Sequence, residues 1–103
     1  MRKKYKIAAV LHSGRKGIRG TMCADPKYAD ILGSFGWVDV DKIKQFEKYK
    51  IDLINNKIFD YWTTSEVLGL VQDRENGDLE IETANSLYEL EALRDGEEDT
   101  TNV

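Results

Sequence analysis

Glu80, Glu82, Glu89 and Glu91 stand at alternate positions in two short stretches, and carboxylates so spaced could do one of two kinds of chemistry. Buried in pairs they could share a proton as general acid and base; on a solvent face they stay ionised and present an array of negative charge. Their neighbours decide. Leu79, Ile81 and Thr83 interleave with the first pair and Tyr88, Leu90 and Ala92 with the second. In strands, that alternation turns the apolar set to a core and the carboxylates to water. The array, extended by Asp78 and Glu75, is therefore read as a protein-binding face. It could dock on a basic surface such as another protein's nucleic-acid channel, where carboxylates take the places of phosphates.

A second candidate is the glycine-punctuated basic stretch from Ser13 to Thr21. Gly14, Gly17 and Gly20 let the backbone turn N–H groups toward an anion, and Arg15, Lys16 and Arg19 add charge. The spacing is neither a Walker A loop nor a dinucleotide fingerprint. It stands as a nucleotide or nucleic-acid contact against the alternative of a solvated hairpin loop. Arg2, Lys3 and Lys4 could extend such a basic edge, with Tyr5, Tyr28, Phe35 or Trp37 for stacking. Nucleophilic catalysis would fall to His12 and Cys23, the single histidine and the single cysteine. A cysteine between Met22 and Ala24 fits a buried, inert position better, and two ligands fall short of the four of a structural zinc site. No enzyme, cofactor or metal is expected.

Charge is distributed unevenly. Residues 1–20 carry seven basic side chains and no acid, whereas residues 66–103 carry twelve acids against Arg74 and Arg94, within a net charge of −4. Two faces of opposite potential, or the two ends packed together, would each accommodate the split. The first strand pairing with the last is the favoured arrangement.

These residues need elements to hold them. A chain of 103 residues supports one core. Lys4 to Ser13 reads as a strand covered on both sides, since Ile7 to Leu11 is apolar throughout, with a short helix as the alternative that periodicity leaves open. Asp25-Pro26 starts a short helix carrying Tyr28, Ile31 and Leu32, and Phe35 and Trp37 between glycines read as a core plug, with an exposed binding knob as the alternative. A second helix is expected from Asp39 or Asp41 to Tyr49, with one helix from Asp41 to Asn56 as its rival. Strands at 48–53 and 57–62 around Asn55-Asn56 follow, with a corner at Thr63 to Ser65. Then comes a meander: Val67 to Val71, a turn at Arg74 to Gly77, Leu79 to Thr83, and Tyr88 to Ala92. The odd-to-even change of apolar phase demands a tight turn or bulge at Ala84-Asn85-Ser86. The fold class is α+β: a small β-dominated domain over 1–94, of five or six strands in a curved antiparallel sheet or small barrel with one or two short helices. Residues 95–103 are expected to be a disordered acidic tail. No apolar run reaches the roughly 20 residues of a membrane span, and Ile7 to Leu11 is too short for a signal-peptide core. A cytoplasmic protein is expected, with self-association left open.

Short, acidic and rich in Lys, Asn, Asp and Ile, the chain resembles the small accessory proteins of bacteriophages and mobile elements. The W-T-T-S-E-V to T-A-N-S-L-Y-E-L segment, Trp62 to Leu90, is similar in style to small β-rich phage products. That resemblance carries over no individual residue. It implies an inhibitor of a host defence system, as anti-CRISPR proteins are by occupying nucleic-acid sites, with a basic host protein as partner.

Overall fold

The structure, a computed structural model, describes residues 2–12, 21–23 and 25–93. The basic stretch from Gly14 to Gly20 and the tail expected over 95–103 lie outside the described residues. Seven strands are present among them: β1 (Lys3–His12), β2 (Phe35–Val38), β3 (Lys50–Ile54), β4 (Tyr61–Thr63), β5 (Val67–Gln72), β6 (Leu79–Thr83) and β7 (Ser86–Ala92). They form one antiparallel sheet in the order β4-β3-β2-β1-β7-β6-β5. The ends of the sheet, β4 and β5, do not pair, so it is an open curved sheet and not a barrel.

The strand beyond the expected six is β2. Phe35 and Trp37 were expected as a core plug; instead they alternate with Gly36 and Val38 and project from the face opposite the core. Alternation puts position 36 on the core side, and it is glycine because β3 crowds it: a Cβ there would lie 2.6 Å from Ile51 Cγ2. The expected helix from Asp39 or Asp41 to Tyr49 is also corrected, and its rival to Asn56 with it. Only a 3₁₀ turn, Val40–Lys42, forms, capped by the Asp39 carboxylate accepting from Asp41 N–H. Tertiary bonds take the backbone beyond it. Phe46 N–H donates to Val67 O at 2.7 Å, Val67 N–H donates to Glu47 O at 2.9 Å, and Phe46 takes a positive φ of 68°. A helix would need those groups for itself. The short helix α1 (Pro26–Ala29) forms as expected, capped by Asp25, and Ile31 just beyond it is fully buried. The expected strand at 57–62 shrinks to β4, because the Asn56 side chain accepts from both Ile58 and Phe59 N–H and holds that stretch as a loop.

Both unbroken apolar runs contain a bulge. The β1–β7 register slips between Ile7 and Ala9, so Tyr5, Ile7 and Val10 all reach the core although their numbers change from odd to even. A second slip between Val67 and Gly69 does the same for Val67 and Leu70 on β5. Cover on both sides of β1 is thus not needed, and Ala8 and Lys6 are exposed. The phase change at 84–86 is a turn. Ile81 faces Tyr88 directly, and Thr83 Oγ1 donates to Ser86 O and accepts from Ser86 N–H. The hairpin at 73–78 is a four-residue loop with only Gly77 at positive φ, a wider reversal than a two-residue Asn-Gly turn, braced by the Asp73 carboxylate accepting from Glu75 and Asn76 N–H.

Curvature is set across the core. Trp62 on β4 donates its indole N–H to the Tyr88 hydroxyl on β7 at 2.8 Å. Those strands are four steps apart in the sheet, about 19 Å if it were flat, so it must curl to bring them together. Tyr28 and Phe59 close on Trp62 with ring centroids 5.6 and 5.5 Å away.

Two predictions follow from this packing. Gly36→Ala should cost about 1–3 kcal/mol by overpacking against Ile51, read as a lowered urea midpoint; an unchanged midpoint contradicts the close approach. Burial pushes the Tyr88 phenol from 10 up to about 12, with the Trp62 hydrogen bond partly opposing. Folding therefore favours its protonated form. That contribution is intact below pH 10 and disappears as pH rises through about 12. Ultraviolet phenolate titration should show the last tyrosine step lost in Tyr88→Phe; its persistence would contradict the assignment.

Candidate functional site

The face of the sheet turned away from the core carries the candidate groups at alternate residues, and it is open except where β7 begins, since Leu87, paired with Glu82, is buried. On its β5–β7 half the structure brings Glu80, Glu82, Glu89 and Glu91 together as expected. Glu80 pairs directly with Glu89, Glu82 with Leu87, and Glu91 with Lys6. The backbones that carry neighbouring members are then about 4.8 Å apart across strands and about 6.8 Å apart along one. Val71 and Gly69 flank the array on β5, and a shallow cavity of about 320 Å³ opens among Ala8, Val71, Asp73, Glu80, Glu89 and Glu91. The remaining two acids stand differently. Asp78 accepts the Ala92 N–H through Oδ1 at 2.9 Å, which ties the hairpin to β7, and its charge together with burial pushes the Tyr5 phenol up, burial being the larger cause. Glu75 lies in the hairpin loop, beyond the end of the array.

The β1–β4 half of the same face is different in character. Arg2 and Lys4 place their cations 4.4 and 4.9 Å from the Trp37 ring centroid, and Lys50 lies 5.1 Å from that of Tyr61. Register puts Lys4, Trp37, Asp52 and Tyr61 in one row across four strands. Sequence reasoning grouped Arg2, Lys3 and Lys4 as a basic edge with Tyr5, Tyr28, Phe35 or Trp37 for stacking, and it missed Tyr61, Lys50, Ala8 and Val71 as members of the face. The alternation of Phe35 and Trp37 with Gly36 and Val38 was the available signal.

Among the described residues no hydrogen bond joins the side chains of His12 and Cys23. Cys23 is half-buried, with its thiol 3.9 Å from the Ser86 hydroxyl, which in turn donates to the Tyr28 hydroxyl at 3.1 Å. Among the described residues no group of three His, Cys, Asp or Glu side chains is placed to hold a metal, and no helix is long and apolar enough to cross a membrane. Comparison with family models, curated proteins and solved structures finds no match to this chain.

Like charges directly opposed in a sheet oppose folding. Glu89→Gln should therefore leave stability unchanged or raise it by about 0.2–1 kcal/mol in chemical denaturation at low salt. A loss above that range would mean that the carboxylate is a structural element of the sheet.

Proposed function

We propose that this chain is a non-enzymatic, stoichiometric binding protein whose carboxylate half-face docks on a basic surface of a partner protein. The observation that carries this reading is the direct pairing of Glu80 with Glu89 on the outward side of β6 and β7, with Glu82 and Glu91 at the next outward positions. Like charges so opposed disfavour the sheet by their mutual repulsion, and the ladder fixes their backbones before any partner arrives, which lowers the ordering cost of binding. Val71 on β5, 62% exposed, and Ala8 on β1, also exposed, add apolar contacts on the two flanks of the array. The excess of acid beyond residue 65 would speed encounter with a cationic partner. The partner class is a nucleic-acid-binding protein, whose phosphate sites a carboxylate array can occupy. Together with the resemblance to phage accessory proteins, this makes inhibition of a host defence complex of the CRISPR type, in the cytoplasm, the reading to test.

The test is target-DNA binding by purified CRISPR effector complexes in the presence of increasing amounts of the protein. Inhibition saturating at one copy per complex, weakened by salt and reduced at least tenfold by joint Glu80, Glu82, Glu89 and Glu91→Gln substitution, is the expected result. Inhibition unchanged by those substitutions refutes the acidic-face mechanism.

A further inference from the structure

We propose that the outer face of β1–β4 is a second, separate binding site, for a short single strand of nucleic acid. Aromatic rings stand outward on neighbouring positions of one strand and on the sheet's edge. Phe35 and Trp37 are two residues apart on β2, and Tyr61, 54% exposed, shares Trp37's row on β4. Bases that have been unstacked from a helix can lie on such rings, whose flat faces accept any base. Cations surround them where a sugar-phosphate chain would pass: Arg2 and Lys4 beside Trp37, Lys50 beside Tyr61, and Lys6 beside Phe35 across the β1–β2 ladder. Asp52 lies 3.9 Å from the Arg2 guanidinium and helps to keep it over the ring.

A crevice of about 350 Å³ between Arg2, Trp37, Lys42 and Lys50 continues the row, with Asp39 and Asp52 also on its walls. The carboxylates of β6 and β7 begin across β1, where Lys6 faces Glu91. They repel phosphate and end the track there. A duplex, whose bases are stacked inside and whose two backbones need a broader cationic surface, does not fit a platform four strands wide. The site shares no residue with the carboxylate array, so it stands or falls independently of the partner proposed above.

The experiment is fluorescence anisotropy of a labelled single-stranded 12-mer and of the same sequence as a duplex, titrated with the full chain at low salt. Single-strand binding with a salt slope of about −2, the value for three phosphate contacts, is expected. Trp37→Ala and joint Lys4 and Lys50→Gln should each weaken it about tenfold or more, whereas Trp37→Phe, which keeps a ring, should weaken it less than threefold. Denaturation midpoints of all variants separate loss of the site from loss of the fold. The proposal is overturned by no single-strand binding, by equal duplex binding, by a folded Trp37→Ala that binds normally, or by binding lost on joint Arg15, Lys16 and Arg19→Ala substitution alone. It is also overturned if an oligo-glutamate peptide displaces the strand as well as unlabelled strand does, since the patch would then be a general contact for acidic proteins.

Discussion

The pairing of β1 with β7 is the joint on which the rest of the molecule depends. Without it β4-β3-β2-β1 and β7-β6-β5 are two separate meanders, each with one apolar face and nothing to cover it. Seven registered pairs run from Tyr5 opposite Ala92 to His12 opposite Ser86, between segments nearly a whole chain apart. Closing so long a loop costs little more than closing a medium one, because the entropy grows only with the logarithm of its length. It does delay the reward until much of the chain is placed, so the fold belongs among the slower ones for its size. The bulge at Ala8 is part of the joint. It allows Ile7 and Val10 to meet Leu90 and Tyr88 on one side, and from Tyr88 the bond to Trp62 draws the far edge over the core.

The same joint determines what the surface shows. The basic amino-terminal strand lies beside the acidic last strand, which brings opposite ends of the charge distribution to neighbouring rows without merging them. Lys6 opposite Glu91 marks the border. To one side stand rings and cations; to the other stand carboxylates around a shallow cavity that Ala8 and Val71 also line. Core residues on the concave side, Ile51, Ile81 and Leu90 among them, are fully buried and alternate with these groups. The core, through these alternate residues, holds the backbones of the outward set in register.

What could be read from the sequence was whatever local alternation dictates. Leu79 to Thr83 and Tyr88 to Ala92 alternate cleanly, so their faces and the turn between them were legible, and so was pairing of the first strand with the last as an arrangement for the charges. Ile7 to Leu11 and Val67 to Val71 were harder. An unbroken apolar run looks like a strand covered on both sides, whereas here it records a bulge that moves the core face from odd to even positions. Between Asp41 and Tyr49 the helical spacing of Ile43 and Phe46 misled, because the backbone there is claimed by β5, a partner far along the chain. β2 was missed since two glycines suggested a loop, when one of them is glycine to admit Ile51. The carboxylate array was thus legible. Of the cation and aromatic group, Arg2 and Lys4 with Trp37 were legible as a basic edge with a stacking ring, whereas Lys50 and Tyr61 were not, because register among four strands adds them.

The central claim is that one face of the sheet is divided at β1 into two binding surfaces of opposite charge. Amide chemical-shift mapping on one labelled sample tests it directly, with an oligo-lysine peptide and a single-stranded oligonucleotide titrated in turn. The account predicts that the peptide shifts outward residues of β5–β7 around Glu80 and Glu89, and that the oligonucleotide shifts those of β1–β4 around Trp37. Overlapping shift maps, or peptide shifts confined to residues 94–103, would contradict it.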